Sequence, residues 1–596
     1  MAHEPKFKNL VQLYKHAVAQ FPMRPLFGTK VSGTWRWMTY SEFGVQVDQF
    51  RAGLVALGVA KGDRVAVISN NSPQWAVGAY ASYGAGASYV PMYEAQSDKE
   101  WKFILADCAA KVALVANESI RDRVVAMKSE LPALELVIAL SGKGDAHSKS
   151  FADVLEKGRE KPTAAMEPDG NDIAGFIYTS GTTGKPKGVL LTHTNLASNV
   201  SAMHELFPMA REDRSLSFLP WAHSFGQTVE LHGLLSMGAS MGIAEAVDKI
   251  MNNLAEVRPT LLFSVPSVFN RIYDGVQKQV AKEGGLKKKI FDAALANEEH
   301  RKTLSHQGKA SGMAELKHKL FDKLAFEKVR AKFGGRLKYA FSGGAAISKE
   351  VAEFIDNLGI LVYEGYGLTE TSPIATANWP GARKIGSVGK ALPRVRIVID
   401  KTVTGDPKHG EIVIYGPNVM QGYHGLADEN ARVFTTDRGF RTGDLGYVDE
   451  DGYLFITGRI KEQYKLENGK YVSPAPLEEY LKLSPYIANV MVYGENRPYN
   501  VALVVADMDS LTRWAKSRGV DTSDVDALLR DERVRKLMSE QIDQYSADFK
   551  QFEKIRKFAI VAEDFTTQND MLTPSLKVKR RVVMTTFGPV IDSLYG

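Results

Sequence analysis

Short apolar runs alternate with helix-length segments through much of the chain. Each run has the length of a buried strand, and the stretches between them are long enough for helices. A crossover of that length is what a parallel pair of strands requires. We therefore predict an α/β fold with sheets of parallel type. The runs are Arg64–Ser69, Ala87–Met92, Val112–Ala116, Leu134–Leu140, Thr260–Val265, Leu337–Phe341 and Ile360–Tyr363.

The pattern changes further along the chain. Between Ala391 and Ile456 the runs are short and separated by Gly, Pro and Asp turns, which is typical of a small β-rich module. After Gly458 a compact α/β pattern begins, and 596 residues are too many for one core. We therefore predict two domains, 1–457 and 458–596. The strands expected in the second are near Val490–Tyr493, Ala502–Val505 and Phe558–Val561.

Composition removes several classes of protein. The single cysteine, Cys108, excludes an intrachain disulfide framework and argues against a cysteine-based metal site. No apolar run approaches the roughly 18 residues of a membrane-spanning helix, and the first residues lack an apolar signal core. We expect a cytoplasmic protein that is either free or attached peripherally to a membrane surface.

The formal net charge of +6 is concentrated in the segment 281–332, which holds thirteen Lys and Arg against seven Asp and Glu, a difference of +6. A solvated helical excursion explains such a segment. A surface that docks on anionic lipid headgroups, or attracts an anionic cofactor, explains it too. No nucleic-acid module accompanies the charge, so we expect no nucleic-acid partner. The segment includes the triad Lys287–Lys289 and an amphipathic pattern over Ala314–Phe333, with Leu316, Leu320, Leu324 and Phe326 among lysines.

A loop rich in glycine and hydroxyl residues follows the apolar run Ile173–Ile177. It reads Tyr178-Thr-Ser-Gly-Thr-Thr-Gly-Lys-Pro-Lys-Gly188. Glycine and small hydroxyl residues let backbone N–H groups approach an oxyanion, and lysine adds positive charge, so the loop suits a polyphosphate. It is not a P-loop, because Pro186 follows Lys185, lacks an N–H and disfavours a helix at that lysine.

Two further motifs follow predicted strands, where ligands bind in open α/β sheets. Gly343-Gly344 permits close approach to a flat base. In the segment Tyr363–Glu370, Tyr366 could stack on that base, Thr369 could donate to phosphate, and Glu370 offers an oxygen ligand for Mg²⁺. Taken singly, a tight turn explains the glycines and a surface carboxylate explains the glutamate.

Four more motifs also have ordinary explanations when each is taken alone. Asp444 suits the two hydroxyls of a ribose, but also a turn cap. Gly458–Lys465 could be a charged linker, and Leu572–Arg581 a solvated basic tail. His223, in the apolar run Phe218–Gly226, resembles a core histidine more than a catalytic one, although we retain it as a catalytic candidate.

Together, in this order and spacing, the motifs resemble the adenylate-forming superfamily of acyl-CoA synthetases, luciferases and peptide-synthetase adenylation domains. The resemblance covers about residues 40 to 585. Overall length, the basic excursion and the segments Phe218–Gly226 and Tyr471–Leu477 look most like long-chain fatty acyl-CoA synthetases. The resemblance implies a large N-terminal domain that binds ATP and the acyl group. It also implies a small mobile C-terminal domain that carries an adenylation lysine.

The resemblance implies roles for individual residues. The catalytic set is Lys577, which would bridge the carboxylate and the α-phosphate, with Thr369, Glu370 and His223. Glu370 and Thr179 would hold Mg²⁺, and Lys461 would be the hinge. The run Lys465–Gly469 is one residue longer than the family's usual Lys-x-x-Gly. The ATP-binding residues would be Thr179, Ser180, Gly181, Thr182, Thr183, Gly184 and Lys187 for phosphate, Gly344, Glu364, Gly365 and Tyr366 for adenine, Thr369 for the α-phosphate, Asp444 and Arg459 for ribose, and Lys465 and Tyr471 near the nucleotide.

The implied reaction has two steps. A carboxylate attacks the α-phosphorus of ATP, which releases pyrophosphate and leaves an acyl-adenylate, and the thiolate of coenzyme A then displaces AMP. Little covalent chemistry is asked of the protein, so charge neutralisation and in-line positioning should dominate. The resemblance also implies that the C-terminal domain rotates about Lys461 between the steps and withdraws Lys577.

The resemblance favours a long-chain fatty acid as the acid substrate, and other acids stay open. Phe218, Trp221, Phe263 and Phe341 are candidates to wall an apolar tunnel, and core packing explains each of them equally well. A medium-chain, aryl or bile acid CoA ligase, or an acyl-AMP ligase that supplies a carrier protein, stays open. So does a nucleotide-dependent lipid-binding regulator, although a protein without turnover has no need of an adenylation lysine.

Overall fold

The computed structural model describes residues 5–180, 185–309, 311–345, 347–404, 406–573 and 577–596. Two π-helical segments, Phe225–His232 and Asp322–Phe326, interrupt the α-helical pattern among these residues. The α-helices are α1 (Leu10–Gln20), α2 (Tyr40–Ala56), α3 (Pro73–Gly84), α4 (Asp98–Asp107), α5 (Glu118–Ala126), α6 (Phe151–Glu160), α7 (His193–Leu206), α8 (Gly233–Met237), α9 (Ile250–Val257), α10 (Pro266–Glu283), α11 (Gly285–His306), α12 (Gly312–Phe321), α13 (Glu327–Ala331), α14 (Lys349–Asn357), α15 (Ala427–Val433), α16 (Pro474–Leu481), α17 (Met508–Ser517), α18 (Val525–Arg530), α19 (Glu532–Tyr545) and α20 (Arg580–Ser593).

The strands fall into two large and three small sheets within the described residues. They are β1 (Pro25–Val31), β2 (Thr34–Thr39), β3 (Arg64–Ile68), β4 (Ser88–Met92), β5 (Val112–Val115), β6 (Leu136–Ala139), β7 (Lys149–Ser150), β8 (Ile173–Ser180), β9 (Pro186–Thr192), β10 (Arg214–Ser217), β11 (Ser240–Ile243), β12 (Leu261–Ser264), β13 (Tyr339–Ser342), β14 (Leu361–Gly367), β15 (Ile374–Ala377), β16 (Lys390–Ala391), β17 (Arg396–Asp400), β18 (Gly410–Tyr415), β19 (Gly422–Tyr423), β20 (Phe440–Val448), β21 (Leu454–Arg459), β22 (Tyr464–Lys465), β23 (Tyr471–Val472), β24 (Ile487–Tyr493), β25 (Asn500–Ala506) and β26 (Ile555–Val561).

Local sequence sets where several helices begin. Thr39 caps α2 through its side chain, and Glu42 reaches back to the Thr39 N–H, which forms a capping box. Ser97 and Glu100 form the same motif at α4. A capping box satisfies backbone donors that the first helical turn leaves without intrahelical partners, so it fixes the point at which the chain turns from strand connection to helix.

Both large sheets have parallel interiors. The strand orders are β16–β15–β14–β13–β12–β10–β11–β1–β2 and β19–β9–β8–β4–β3–β5–β6–β7. Strand β3 pairs in parallel with β4 and β5, and β13 pairs in parallel with β12 and β14. The strands expected from the apolar runs are β3 to β6 and β12 to β14, so the predicted α/β fold is confirmed.

The largest core includes side chains of both large sheets and of the helices around them. Trp221 is fully buried there, with ring centroids 5.6 Å from both Trp75 and Phe27. Phe263 and Phe341, on neighbouring strands, stack with centroids 4.8 Å apart. Two of the aromatic residues considered for an acyl tunnel thus lie beside each other, and they and Trp221 all belong to this core.

The β-rich module is the sheet β17–β18–β20–β21, and the C-terminal region contains the sheet β24–β25–β26. Leu483, which is 1% exposed, belongs to a core formed mainly by α10, α14 and the strands beside them, and Tyr480 and Tyr545 pack against it. The C-terminal region therefore docks on the N-terminal one. No helix among the described residues is both long enough and apolar enough to cross a membrane.

Candidate functional site

Three of the motifs found in the sequence meet at Asp444. Its strand β20 pairs with β21 so that Asp444 lies opposite Arg459. The Arg459 Nε–H donates to Asp444 Oδ1 at 2.6 Å, and the Tyr366 hydroxyl donates to Oδ2 at 2.7 Å. Asp444 is 3% exposed, and a carboxylate this buried requires such partners. The two predicted ribose residues and one of the predicted adenine residues, Tyr366, thus form one hydrogen-bonded group.

Glu370 and Thr369 lie just beyond the end of β14. The Tyr423 hydroxyl donates to Glu370 Oε1 at 2.7 Å. Thr369 is buried, and its Oγ1 lies 3.3 Å from Ser224 Oγ. Sequence reasoning missed Tyr423 and Ser224. Ser224 follows His223 in a run of which only the histidine was a candidate residue. Tyr423 belongs to a two-residue strand, which is too short to produce an apolar pattern in the sequence.

Lys187 is held at the edge of this group. It lies opposite Thr179 in the β8–β9 pair. Its Nζ is 2.5 Å from Glu429 Oε1 and 5.3 Å from the centre of the Tyr423 ring. The hydrogen bond from Lys187 is the main cause that lowers the pKa of the Glu429 carboxyl. Sequence reasoning missed Glu429 as well. The predicted phosphate ligands Gly181, Thr182, Thr183 and Gly184 lie outside the described residues, and of Ser180 we describe only the backbone, which ends β8.

Lys577 enters the site from the C-terminal region. Lys577 is exposed, yet enough protein surrounds its ammonium group that desolvation is the main cause lowering its pKa. The charge of Arg459 lowers that pKa further, whereas Asp444, Glu462 and Glu370 act against it. The Lys577 N–H donates to Thr573 Oγ1 at 3.0 Å. Lys577 is therefore within electrostatic range of the groups predicted to bind the nucleotide and the metal.

His223 faces the same charge. Burial is the main cause that lowers the pKa of its imidazole, to about 4, and the Lys577 ammonium lowers it further. The ring is therefore neutral at pH 7. Its Nδ1 accepts the Phe225 N–H at 3.2 Å, so the proton of the neutral ring is on Nε2. His223 is half-buried rather than enclosed in the core, and its catalytic role remains a prediction.

Glu364 and Gly365 lie within β14 beside the end of β13, and Gly344 lies two residues after β13. Burial raises the pKa of the Glu364 carboxyl to about 8, so this side chain is largely protonated at neutral pH. The Glu364 carbonyl accepts the Asn378 N–H at 2.8 Å. Gly344 has φ +83°, a left-handed conformation that favours glycine, and a Cβ there would meet only Val265 within 4 Å. The space above Gly344 is therefore open to a flat ligand.

The remaining predicted residues lie in the C-terminal region. Lys461 is exposed in the turn after β21, where its charge helps to lower the pKa of Glu429. Lys465 and Tyr471 face each other across the β22–β23 pair, with Nζ 5.7 Å from the ring centre. Across the described ranges, no hydrogen bond or ion pair joins Lys465 or Tyr471 to Asp444 or Glu370. Their proximity to a nucleotide remains a prediction.

The donor set is compatible with Mg²⁺ that is bound together with a nucleotide. The described residues contain no group of three or more His, Cys, Asp or Glu that could hold a metal. Mg²⁺, however, usually takes one or two protein carboxylates and completes its shell with phosphate oxygens and water. Glu370 supplies one carboxylate, whose Oε2 is not occupied by Tyr423. Thr179 is half-buried at the end of β8 and could add a hydroxyl.

Known proteins match both regions of the chain. A family model described as AMP-binding enzyme matches residues 14–424, and one described as AMP-binding enzyme C-terminal domain matches residues 461–596. The long-chain-fatty-acid–CoA ligase FadD15 of Mycobacterium tuberculosis is 33% identical over 578 residues, which cover 95% of this chain and 93% of that protein. The peroxisomal long chain acyl-CoA synthetase 6 of Arabidopsis thaliana is 31% identical over 618 residues, 99% of this chain and 87% of that protein.

Among solved structures, the adenylation domain of a carboxylate reductase from Mycobacterium chelonae has a TM-score of 0.80 at 23% identity. The match covers 100% of this chain and 92% of that one. At this identity the likeness concerns the fold, and it extends over both regions of the chain.

Proposed function

The chain belongs to the family of AMP-binding enzymes, and from that membership we propose that it activates a long-chain fatty acid as an acyl-adenylate and transfers the acyl group to coenzyme A. Membership confirms the resemblance stated from the motifs. It makes the protein an adenylate-forming acid–thiol ligase that binds ATP and AMP. The long-chain acid and coenzyme A are the proposed part, and they are supported by relatives at 33% and 31% identity.

The position of Lys577 carries the proposal. Its ammonium is within electrostatic range of the carboxylates of Asp444 and Glu370 and of the neutral ring of His223. Negative charge accumulates where a carboxylate approaches the α-phosphate, and a cation placed beside that point neutralises part of it. This is the arrangement that the first, adenylate-forming step requires.

The surrounding residues supply the other parts of that step. Thr369 and Ser224 present hydroxyl donors beside Glu370, and Lys187 brings positive charge to the phosphate end. Asp444 can accept from ribose hydroxyls on its remaining lone pairs. Glu370, with Thr179, would hold Mg²⁺, which supplies charge neutralisation on the phosphate oxygens. His223 offers an uncharged Nε2–H donor that does not compete with Lys577 for the carboxylate.

The second step calls for a different arrangement. Once the adenylate has formed, the attacking carboxylate has become an uncharged carbonyl, so the Lys577 ammonium is no longer needed to neutralise it. We propose that the C-terminal domain, residues 458–596, turns about Lys461 and withdraws Lys577. The docking contacts of Tyr480, Leu483 and Tyr545 would then separate from α10 and α14.

An apolar row supports an aliphatic substrate. Phe263, Phe341 and Tyr363 occupy matching positions on β12, β13 and β14, and Phe207 lies 5.0 Å from Phe341. The row ends two residues before Gly343, where the predicted nucleotide site begins. We place the acyl chain along this row. We also propose that segment 281–332 associates peripherally with a membrane, the phase into which fatty acids partition.

ATP–pyrophosphate exchange across acids from acetate to oleate tests the proposal. Exchange that rises with chain length, followed by acyl-CoA formation when free coenzyme A is added, is the expected result. Highest exchange with short or aryl acids would overturn the long-chain assignment. Exchange without acyl-CoA formation would point to a carrier protein as the acceptor, and no exchange with any acid would leave only nucleotide and lipid binding.

A further inference from the structure

The helix α12 and the π segment that follows it present a stripe of exposed apolar side chains. Met313 is 63% exposed, Leu316 66%, Leu320 58% and Leu324 45%. Spacings of three, four and four residues bring these side chains onto one side of a helix. Large apolar side chains grouped in this way mark a binding surface more often than isolated ones do.

The opposite side of α12 is fixed to the body of the protein. Ala314 is buried and its carbonyl accepts the Asn297 Nδ2–H at 3.1 Å. His318 is 2.5 Å from Glu298, and Phe326 is fully buried at the end of the π segment. The helix is therefore held in one rotational position. Its apolar stripe faces outward because the other side is already occupied.

Lysines border the stripe. Lys317 and Lys323 lie on its two sides and Lys319 follows along the same exposed turn, and all three residues are exposed. No ion pair or hydrogen bond of the described residues engages these three side chains. The neighbouring carboxylates Glu315 and Asp322 are paired with Arg301 and Arg330. The surface is thus apolar at its centre and positively charged at its rim.

The basic triad that stood out in the sequence is arranged differently. Lys287 pairs with Glu283 at 3.3 Å and Lys288 with Asp292 at 2.5 Å, both as i,i+4 pairs on a helix surface. Two of its three charges thus have local partners, and in the described part of this segment Leu286 is the one large exposed apolar side chain beside it. The surface that combines unpaired lysines with several exposed apolar side chains therefore lies on α12 and not at Lys287–Lys289.

We propose that the α12 face, defined as Met313, Leu316, Leu320 and Leu324 with Lys317, Lys319 and Lys323, inserts into the headgroup region of an anionic phospholipid bilayer. The leucines would enter the boundary with the acyl chains while the lysines extend toward lipid phosphates. A second copy of this chain suits the face less well, because two-fold pairing sets identical surfaces against each other and so brings lysines near lysines. The inference rests on the proposed function, in which the substrate resides in membranes.

Flotation with phosphatidylcholine vesicles, with and without phosphatidylglycerol, tests the full-length protein. The wild type should bind the anionic vesicles and release them as salt is raised. The variant Leu316→Gln/Leu320→Gln/Leu324→Gln should bind at least about tenfold more weakly, since each leucine loses its transfer into the lipid boundary. Lys317→Gln/Lys319→Gln/Lys323→Gln should weaken binding to the anionic vesicles selectively. The matched control Lys287→Gln/Lys288→Gln/Lys289→Gln removes the same charge from α11 and should bind within about twofold of the wild type.

Several results would overturn the inference. The first is a wild type that does not bind anionic vesicles, and the second is a leucine variant that binds as strongly as the wild type. The third is an α11 control that loses as much binding as the α12 lysine variant. A concentration-dependent dimer that the leucine variant abolishes would assign the face to a second copy instead. Exchange of ATP and pyrophosphate with detergent-dispersed fatty acid, measured on the same variants, reports the proposed activity separately, because exposed substitutions on α12 leave the nucleotide site intact.

Discussion

The hydroxyl of Tyr423 donates to Oε1 of Glu370 at 2.7 Å, which ties the predicted metal ligand to the strand that flanks the phosphate loop. Tyr423 pairs in register with Val189, two residues beyond Lys187, and its ring lies under the Lys187 ammonium. A single tyrosine thus orients the carboxylate predicted to hold the metal and packs against the lysine predicted to bind phosphate.

We expect Tyr423→Phe to raise the Mg²⁺ concentration needed for half-maximal ATP–pyrophosphate exchange by about tenfold, because outer-shell hydrogen bonds orient metal ligands. The phenylalanine ring keeps the contact with Lys187, so the effect should be confined to Glu370. Titration of Mg²⁺ at saturating ATP measures it. An unchanged Mg²⁺ dependence would show that Glu370 needs no support from Tyr423.

Glu429 and Lys187 give a second prediction. Their ion pair occupies the lysine that phosphate oxygens would use, and both side chains are largely shielded, at 20% and 13% exposed. In Glu429→Gln the ATP phosphates no longer compete with a carboxylate for the Lys187 ammonium. The KM for ATP should therefore fall severalfold, which corresponds to about 1 kcal/mol. Asp428→Asn removes the same charge from the adjacent exposed position of α15 and serves as the control. A higher KM in the Glu429 variant would mean that the pair positions Lys187 productively.

Lys577 separates the two half-reactions. Lys577→Ala should abolish pyrophosphate release, since the cation that neutralises the attacking carboxylate and the α-phosphate is lost. The same variant should still convert supplied acyl-adenylate and coenzyme A to thioester. The control is Lys579→Ala, two positions after Lys577. It removes a lysine that forms an ion pair with Asp570, and the variant should retain both activities. Equal loss of both half-reactions in the Lys577 variant would contradict the assignment.

Glu230 predicts a pH-dependent stability. It lies in the π segment Phe225–His232, is 1% exposed and accepts hydrogen bonds from Ser215 and Ser217 at 2.7 and 2.8 Å. Burial raises the pKa of this carboxyl from 4.5 to about 7. The folded state therefore binds more protons than the unfolded state between these values, and stability falls as pH rises through that window. The loss above about pH 7 is on the order of 3 kcal/mol.

Glu230→Gln removes this titration. The variant should gain stability relative to the wild type as pH is raised from about 4.5 to about 7, and the gain should then level off. Urea denaturation across that range measures the difference. Glu299→Gln changes an exposed glutamate and should show no such trend. A constant difference between Glu230→Gln and the wild type at every pH would place the Glu230 pKa near its ordinary value.

Sequence reasoning located motifs better than it located their partners. The resemblance assigned Asp444 to ribose, but the hydroxyl that donates to its second oxygen belongs to Tyr366, 78 residues earlier in the chain. Glu429 stands on a seven-residue helix and meets Lys187 across 242 positions, with no local pattern to mark it. The residues of one motif do not indicate which residue of another motif will be their hydrogen-bond partner.

His223 and the triad Lys287–Lys289 show the limits of local interpretation. The apolar neighbours of His223 favoured a core histidine, whereas the docked C-terminal region brings Lys577 close enough to lower the pKa of its ring. The triad looked like the centre of a basic surface, but helical spacing provided Glu283 and Asp292 as partners. The outward stripe on α12 followed from the helical period, yet its exposure depended on which side packed against α11.

The secondary-structure elements and the candidate chemical groups on them can be predicted from the order of residues along the chain. Strand length, helical period, capping residues and the exclusion of a P-loop by Pro186 are all set by neighbours along the chain, because backbone conformation responds to adjacent residues. Which of these groups come into contact depends on how the elements pack in three dimensions. Strand order places β9 between β8 and β19, and domain docking brings Lys577 to Asp444 and Glu370. Such contacts depend on the packing of whole sheets and domains, which local periodicity does not encode.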